Sequence, residues 1–322
     1  MDEFVLIRRY FQSLTPASAD VVLGIGDDCA LLRPAAGEDL AVTTDTLVEG
    51  RHFHPQARAD DVGWKALAVN LSDLAAMGAR PRWFLAALTL PHADEGWIKA
   101  FAEGMGAMAA QAGITLVGGN LSRGPLSVSI TALGSVPAGK ALRRSCAKPG
   151  DAVCVTGTLG DAALALELGL AVECARFDPD REFLKARLNR PQPRIAAGHN
   201  LRLLGRAAID LSDGLAGDLR HILEASWVGA EVRADRLPMS EAFQRLAPAA
   251  ARLRLQVAGG DDYELCVCLP PERVAEARAK LGLPLTEIGH ITREPGLRWL
   301  DADGRLLETE LSGYDHFRDD TA

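Results

Sequence analysis

The chain has 322 residues, 48% of them hydrophobic, a length that predicts about two domains with a sizeable apolar core. Acidic residues outnumber basic ones by 43 to 35, and the basic residues are scattered, which argues against a nucleic-acid-binding groove. The formal net charge is -8. No apolar run approaches the roughly 20 residues of a membrane-spanning helix, so no membrane partner is expected.

Helices and strands alternate in the first half of the predicted structure. Apolar periodicity predicts helices at 3–14, 61–79 and 94–112, the second of them ended by Gly78 and Pro81. Apolar runs predict strands at 40–45, 83–91, 113–119 and 125–137. This order is typical of an α/β or α+β domain.

A polar, basic connection at 138–151, "AGKALRRSCAKPGD", is the best candidate for a domain boundary. It predicts an N-terminal domain over 1–138 and a C-terminal domain over 139–322. The later helices are predicted after "TLGD" and at about 180–189, 193–205, 214–226 and 271–282. The later strands are predicted at 152–157, 206–210, 263–270, 285–291 and 297–300, with a hairpin turn at 301–304.

The six cysteines contain no CxxC pair, and Cys266 alternates with Cys268 in "YELCVCLP" as on one face of a strand. We therefore expect buried thiols in a reduced, cytoplasmic protein. The first residues, "MDEFVLIRRYFQ", lack the apolar stretch of a signal peptide.

Aspartates recur where an apolar run meets a turn. The residues with this placement are Asp27, Asp28, Asp45, Asp73, Asp210, Asp213, Asp261 and Asp262. A helix cap explains any one of them. Five such clusters, two of them Asp-Asp pairs, also suit Mg2+, which prefers oxygen ligands and bridges carboxylates to substrate phosphates.

Glycine-rich stretches at 116–120 and 257–262 can form tight turns or let the backbone approach a phosphate. Neither a P-loop nor a Rossmann fingerprint is present. His52 and His54 lack a third clustered ligand for zinc, so a substrate or interface contact fits them better. Arg143 and Arg144 are either solvated connection charges or phosphate contacts. No G-x-S-x-G elbow or nucleophilic triad is visible.

Several segments, in order from residue 23 to residue 317, together carry a family resemblance. They are "LGIGDDCALL", "TTDTLVEGRHF", "KALAVNLSDLAAMGARP", "LTLP", "GGNLSRGP", "ALRRSCAKPGD", "VTGTLGD", "AIDLSDGLAGDL", "GGDDYELC" and "GYDHF". The chain thereby resembles the thiamine-monophosphate kinase family, of the superfamily that includes aminoimidazole ribonucleotide synthetase and selenophosphate synthetase. The likeness covers nearly the whole chain.

The resemblance implies a two-domain α/β (α+β) fold and ATP-dependent phosphorylation of thiamine monophosphate to thiamine diphosphate with several Mg2+ ions. It also implies a homodimer formed through the N-terminal domains, with ATP near the domain junction. The implied Mg2+ ligands are Asp28, Thr43, Thr44, Asp45, Asp73, Asn120, Asp210 and Asp213. The implied ATP contacts are Gly119, Asn120, Arg144 and Ser212, and the implied contacts to thiamine monophosphate are His52, Asp261 and Tyr314.

Two positions depart from the family pattern. Asn120 stands where the family usually has a metal-ligating Asp, so one metal site should be weaker or shifted. Asp261 stands where Glu is frequent, and its side chain is one methylene shorter, so that contact could be lost or made through water.

The acceptor phosphate needs no general base, because its second pKa is near 6 and it is mostly dianionic near neutral pH. Repulsion between phosphates is the obstacle, at about 4 kcal/mol for each pair of unit charges ~4 Å apart. We therefore expect direct in-line transfer assisted by Mg2+. The alternatives are another ATP-dependent synthetase or dehydratase of the superfamily, or a non-catalytic cation-binding protein.

Overall fold

The structure, a computed structural model, describes residues 3–15, 19–25, 29–172 and 177–307. These residues form two compact units. The first holds the described residues up to Leu74, Ala79–Ala141, and residues 171 and 172. The second holds Ala75–Gly78, Leu142–Leu170 and the described residues from Phe177 onward. Within these ranges no helix is both long enough and apolar enough to cross a membrane.

The first unit combines three helices with two small sheets. In chain order its elements are α1 (Glu3–Leu6), β1 (Val21–Leu23), β2 (Leu31–Leu32), β3 (Glu38–Val48), α2 (Ala59–Ala76, its last two residues in the second unit), β4 (Arg80–Leu90), α3 (Glu95–Ala112), β5 (Thr115–Arg123) and β6 (Ser127–Pro137). β1 pairs with β2, and the larger sheet has the order β3-β6-β4-β5. In that sheet β4 and β5 are parallel, whereas β6 is antiparallel to both of its neighbours.

The predicted elements of this unit are confirmed, with one change of helix type and shifted ends. The helix predicted over 3–14 is regular α only over Glu3–Leu6, then π-helical over Ile7–Phe11 and 3-10 over Gln12–Leu14. Gly78 follows α2 with φ 64°, and its N–H donates to the carbonyl of Ala75 at 2.9 Å. This is the glycine stop that the sequence predicts.

The two long helices of the first unit cross closely at glycines. A Cβ added to Gly63 of α2 would lie 2.1 Å from the carbonyl oxygen of Phe101, and one added to Gly104 of α3 would lie 1.9 Å from that of Asp60. Only glycine permits so close a backbone approach. The glycines therefore fix where α2 crosses α3, and with it the placement of the polar end of α2.

Side chains alternate across the larger sheet of the first unit. On β3, Thr43 and Asp45 face α2, to which Thr43 and the backbone of Asp45 hydrogen-bond. The opposite face leaves the apolar side chains of Leu40, Val42 and Leu85 exposed. Hydroxyl pairs join its strands, Thr44 with Thr131 at 3.2 Å, Thr46 with Ser129 at 2.7 Å and Thr89 with Ser122 at 3.0 Å. We call this surface the open sheet face.

The second unit is built on a six-stranded mixed sheet. Its elements in chain order are β7 (Ala152–Thr156), α4 (Asp161–Glu167), α5 (Pro179–Asn189), α6 (Ile195–Leu201), β8 (Ala207–Asp210), α7 (Leu215–Ser226), β9 (Gly229–Arg233), α8 (Glu241–Leu246), α9 (Arg252–Ala258), β10 (Leu265–Leu269), α10 (Val274–Leu281), β11 (Leu285–Thr292) and β12 (Gly296–Leu300). The strand order is β12-β9-β11-β7-β10-β8, and β12 is parallel to β9 whereas the other pairs are antiparallel.

Each face of this sheet has its own apolar core. Val153 and Val155 of β7 join a cluster with α7, whereas Ala152 and Cys154 join a second cluster with α6 and α10. Helices on both faces explain why β7, β8 and β10 are buried along their full length.

Most predicted elements of the second unit are confirmed, and two helices were missed. The turn at 301–304 is present, with the N–H of Gly304 donating to the carbonyl of Asp301 at 3.1 Å. The missed helices are α8 and α9, of six and seven residues. α8 begins at a Ser240 cap that accepts the N–H of Phe243 at 3.0 Å, and a helix so short gives little periodicity to detect.

Cys266 and Cys268 are buried, as the sequence predicts, and Cys154 is buried as well. Burial raises the pKa of Cys154 to about 12 and also raises the pKa values of Cys266 and Cys268. Cys29 and Cys146 are exposed. Because the thiolate is the nucleophile, a raised pKa together with burial makes a thiol inert at pH 8.

We expect iodoacetamide at pH 8 to alkylate Cys29 and Cys146 in the native protein while Cys154, Cys266 and Cys268 stay protected. Peptide mass spectrometry of briefly labelled protein measures this, and the same protein in urea, where all six cysteines of the chain should react, is the control. Native labelling of Cys266 as fast as that of Cys146 would contradict the assignment.

Candidate active site

Two of the predicted metal ligands of the first unit are in direct contact. The hydroxyl of Thr43 on β3 donates to the Asp73 carboxylate on α2, with 2.5 Å between Oγ1 and Oδ2. Two residues along β3, the N–H of Asp45 donates to the amide oxygen of Asn70 at 3.0 Å. The Asn70 side chain is itself held, because its Nδ2 donates to the carbonyl of Ala66 at 3.1 Å. The motif "NLSD" thus aligns β3 with α2 and brings Thr43, Asp45 and Asp73 to one face.

Other predicted site residues of this unit lie on the open sheet face. The hydroxyl of Thr44 donates to the carbonyl of Ile130 at 3.0 Å. Asn120 is exposed and pairs in register with Ala87. Alternation places Asn120 on the same face as Ser122, whose hydroxyl lies against that of Thr89. Within the described part of this unit, the structure therefore separates Thr44 and Asn120 from Thr43, Asp45 and Asp73 by the thickness of the sheet.

Gly119 has a structural reason to be glycine. Its φ is +153°, and an added Cβ would lie 1.9 Å from the carbonyl oxygen of Ala86 on β4. Its neighbour Gly118 is less confined, because a Cβ there meets only a Leu85 methyl group at 3.0 Å. The close approach of β4 to β5 therefore requires glycine at position 119. This structural reason is independent of the predicted contact of Gly119 with ATP.

We expect Gly119→Ala to lower the free energy of unfolding by about 1–3 kcal/mol or more, because β4 and β5 must separate to admit the methyl group. Urea unfolding followed by circular dichroism measures the change. Gly118→Ala is the matched control and should cost less, since a side chain can move where a backbone carbonyl cannot. Equal losses in the two variants would show that the approach to Ala86 is unimportant.

His52 lies in the connection between β3 and α2. Its Nδ1 accepts the N–H of Val48 at 3.0 Å, and its carbonyl oxygen accepts the Lys65 ammonium at 3.4 Å. His54 makes a similar local bond, accepting the N–H of Gln56 at 3.1 Å. Since Nδ1 of His52 accepts this hydrogen bond, the neutral imidazole presents a donor at Nε2.

The second unit collects its own acidic group at the end of β8. Asp210 is the last residue of that strand and is buried, and Ser212 and Asp213 follow in the loop to α7. The carboxylate of Asp218, on the first turn of α7, accepts the N–H of Asp213 at 3.1 Å. Burial, and then the negative charges of Asp210 and Asp213, raise the pKa of Asp218 to about 8. Asp218 was missed by the sequence analysis, although "DLSDGLAGDL" contains it.

Arg144 lies within electrostatic reach of this acidic group, because its positive charge lowers the pKa of Asp218. Its backbone is held by the last residue of α7. Ser226 donates its hydroxyl to the carbonyl of Arg144 at 2.7 Å and accepts the N–H of Ala147 at 3.1 Å. The same helix therefore carries the acidic group near its start and the anchor of the arginine turn at its end.

The segment from Gly259 to Glu264 runs beside the loop that follows β8. The N–H of Asp261 donates to the carbonyl of Ser212, and that of Tyr263 to the carbonyl of Leu211, both at 2.8 Å. Gly260 packs so closely that a Cβ would lie 2.4 Å from the Ser212 carbonyl oxygen. Asp261, a predicted substrate contact, is thereby hydrogen-bonded to the loop that carries Ser212, a predicted ATP contact, and Asp213, a predicted metal ligand.

Beneath this segment lies a buried charge network that the sequence analysis missed. Glu264 is fully buried and receives Arg194 in two hydrogen bonds, of 2.5 and 2.7 Å, Arg187 at 3.0 Å and the hydroxyl of Thr156 at 2.7 Å. Arg187 also donates to the carbonyl of Asp262 at 3.1 Å. A glutamate inside the apolar run "YELCVCLP" was the available signal, because a charge in a buried strand requires partners.

Asp262 is buried and holds the start of α4. Both of its carboxylate oxygens lie 3.0 Å from the N–H of Gly160. Burial raises the pKa of Asp262 well above its usual range. Asp262, the second Asp of "GGDD", therefore has a structural role. Asp261, the first, is half-buried at the surface of the loop.

Asp28 and Tyr314, predicted as a metal ligand and a substrate contact, lie outside the described residues, as does Asp27. Across 3–15, 19–25, 29–172 and 177–307, no three His, Cys, Asp or Glu side chains lie close enough to form a metal site by themselves. The described candidates form two groups, one in each unit. Thr43, Asp45 and Asp73 belong to the first unit, and Arg144, Asp210, Ser212, Asp213 and Asp261 to the second.

Comparison with known proteins identifies the family. Residues 26–136 match the N-terminal domain of AIR synthase related proteins, and residues 148–300 match the C-terminal domain. A thiamine-monophosphate kinase of Salmonella typhimurium is 47% identical over an alignment of 323 positions, which covers 98% of each chain. The chain belongs to the thiamine-monophosphate kinase family. It is therefore an enzyme, and its two-domain α/β fold is that of the AIR synthase related proteins.

Solved structures agree with this placement. The crystal structure of a thiamine-monophosphate kinase from Stenotrophomonas maltophilia is 48% identical, with a TM-score of 0.88 over 95% of this chain and 98% of that one. The structure of AaThiL complexed with AMPPCP and TMP is 32% identical, with a TM-score of 0.79 over 88% of this chain and 89% of that one. The family resemblance and the fold class predicted from the sequence are thus confirmed.

Proposed function

We propose that the chain transfers the γ-phosphoryl group of ATP to the phosphate of thiamine monophosphate, forming thiamine diphosphate. The observation that carries this proposal is the 47% identity to a thiamine-monophosphate kinase over 98% of both chains. The complex of a 32% identical relative with AMPPCP and TMP supports the same pair of substrates. The register between Asp261 and Ser212 also supports it, since a substrate contact and an ATP contact would then share one rigid loop pair.

Mg2+ suits the donors that the two units offer. Thr43, Asp45 and Asp73 present hydroxyl and carboxylate oxygens together, and Asp210 and Asp213 offer carboxylates at the end of β8 and in the loop that follows it. These are the oxygen ligands that Mg2+ prefers. When bound, the metal neutralises phosphate charge and polarises the phosphoryl oxygens.

The protein groups then bind and orient the substrates. Arg144, exposed and anchored at its backbone by Ser226, would contact the nucleotide phosphates. Gly119 would offer the nucleotide a backbone contact and Ser212 a hydroxyl contact. His52 and Asp261 would contact thiamine monophosphate. No side chain need remove a proton, because the acceptor is already largely dianionic near neutral pH. We propose direct in-line transfer, in which the acceptor oxygen displaces ADP without a phosphoenzyme.

Incubation with ATP, Mg2+ and thiamine monophosphate, followed by chromatography for thiamine diphosphate, tests the reaction. Product should form with one ADP released for each thiamine diphosphate, and EDTA should abolish it. ATP cleavage without thiamine diphosphate would favour another ATP-dependent enzyme of the superfamily. Failure to cleave ATP at all would favour a cation-binding role. A kinetically competent labelled phosphoprotein formed from γ-labelled ATP would refute direct transfer.

The proposal includes a homodimer formed through the open sheet face. That face exposes the apolar side chains of Leu40, Val42 and Leu85 among paired hydroxyl groups. In a twofold-symmetric dimer the same face of each copy would contact the other. Light scattering of the wild type should give the mass of two chains. Val42→Glu, which places a charge in the middle of the apolar patch, should give one. Unchanged mass in the variant would remove this face from the interface.

A further inference from the structure

The segment that carries Asp261 has an uncommon backbone. Asp261 has φ +67° and Tyr263 has φ +48°, and among the described residues only Trp227 is another non-glycine with positive φ. Such conformations cost free energy and persist where surrounding contacts enforce them, which is frequent at functional sites. Two residues with positive φ within three positions therefore make this segment a candidate functional element.

The contacts that enforce the segment come from both sides. On one side the loop after β8 accepts the N–H groups of Asp261 and Tyr263. On the other side Arg187 binds the carbonyl of Asp262, and the Asp262 carboxylate binds the N–H of Gly160. The Tyr263 ring is 8% exposed, and its hydroxyl is directed back to Asp261, with 3.0 Å between the hydroxyl oxygen and Oδ1.

From this geometry we infer that Tyr263 is a positioning residue, whose hydroxyl orients the Asp261 carboxylate toward the organic part of the acceptor substrate. The inference rests on the proposed function and extends it to specificity. The hydrogen bond to Oδ1 restricts the χ angles of a short side chain on a rigid backbone. The carboxylate is then held in a fixed direction.

The chemistry of the carboxylate defines the group that it recognises. An ionised Asp accepts hydrogen bonds and favours positive charge, so it suits an amine donor or a cationic ring. Thiamine monophosphate carries both, an exocyclic amine on its pyrimidine and a cationic thiazolium. The phosphate being transferred and the nucleotide are anionic, so the Asp261 carboxylate would repel them. Tyr263 should therefore govern binding of the acceptor and leave binding of ATP unchanged.

Tyr263→Phe removes the hydroxyl and keeps the buried ring, so the fold should be retained. We expect the KM for thiamine monophosphate to rise about 10- to 150-fold, the range of one hydrogen bond to a charged group. The KM for ATP and kcat at saturating substrates should stay within about twofold. Calorimetric titration of thiamine monophosphate without nucleotide should show the same loss of affinity.

A second background separates positioning from a merely structural role. Asp261→Gly removes the carboxylate and tolerates φ +67°, so the loop backbone is kept. In that background Tyr263→Phe should add nothing to the KM for thiamine monophosphate. Tyr10→Phe, which removes another tyrosine hydroxyl bonded to a carboxylate, Glu95 at 2.5 Å, is the matched control and should leave all kinetic constants unchanged.

Two results would overturn the inference. One is an unchanged KM for thiamine monophosphate in Tyr263→Phe while the wild type is active. The other is an equal increase from Tyr263→Phe with Asp261 present and with Asp261→Gly, which would mean that the hydroxyl acts on stability alone. An inactive wild type would instead refute the proposed function, so the two failures are distinguishable.

Discussion

Glu264→Gln is expected to lower the free energy of unfolding by about 3–5 kcal/mol, the typical cost of breaking a buried ion pair. Glu264 is fully buried and offers its charge to Arg187 and Arg194, whose side chains are 10% and 22% exposed. Glutamine keeps the size but removes the counter-charge that Arg194 and Arg187 share, and leaves Arg187 only Asp161, whose Oδ2 lies 3.6 Å from its Nε, among the ion pairs of the described residues. Urea unfolding monitored by tryptophan fluorescence and circular dichroism measures the difference.

A matched control exists on α10. Glu276 also pairs with two cations, Arg273 at 2.6 Å and Lys280 at 2.7 Å, but it lies at the surface. Exposed pairs contribute little because water already solvates both charges. Glu276→Gln should therefore leave the urea midpoint nearly unchanged. If both variants unfold at the wild-type midpoint, the buried network does not stabilise the fold as proposed.

Much of the fold could be predicted because its elements are long and regular. α2 and α3 each have 18 residues, and their apolar spacing and the glycines that follow them define them without tertiary information. β7 and β10 are buried on both faces and so appear as continuous apolar runs. Sequence pattern did not predict α8 and α9, whose six and seven residues are shaped by their surroundings.

The candidate site, like the fold, could be predicted only in part. "DLSD" stands where β8 meets the loop to α7, so the position of Asp213 could be located from the sequence. "NLSD" lies inside α2, so the prediction that Asp73 follows an apolar run at a turn was wrong. The contact between Thr43 and Asp73 spans 30 residues, and that between Arg194 and Glu264 spans 70. Such pairings depend on the tertiary fold, and spacing along the chain does not encode them. The positive φ of Asp261 and Tyr263 is equally invisible, because neither residue type signals it.

The different contacts of Asp261 and Asp262 illustrate the limit of prediction from sequence. Both were assigned to one acidic cluster, and their backbones are adjacent. Asp262 points inward to the N–H of Gly160, whereas Asp261 is half-buried against the Tyr263 hydroxyl. A change of backbone direction within one residue gives the two carboxylates different tasks. Only coordinates assign the inner one to the fold.

Asp45→Asn is expected to reduce the rate of thiamine diphosphate formation at least about a hundredfold at physiological Mg2+, because a metal clamp on transferring phosphates contributes several kcal/mol. The fold should survive. Asn70 accepts the backbone N–H of residue 45, not its side chain, and asparagine has nearly the same shape as aspartate. The change therefore removes a negative charge from the face shared with Thr43 and Asp73 without loosening β3 from α2.

Turnover measured across a Mg2+ titration at saturating ATP and thiamine monophosphate decides whether that charge holds metal. The variant should require far more Mg2+ and should not reach the wild-type rate. Asp39→Asn is the matched control on the same strand, since Asp39 is exposed and its carboxylate accepts the N–H of Gly139, which follows β6, at 2.9 Å. That variant should keep wild-type turnover and metal dependence. Near-normal turnover of Asp45→Asn at saturating Mg2+ would exclude Asp45 from the metal site. Loss of activity in both variants would point to a general effect of charge on β3.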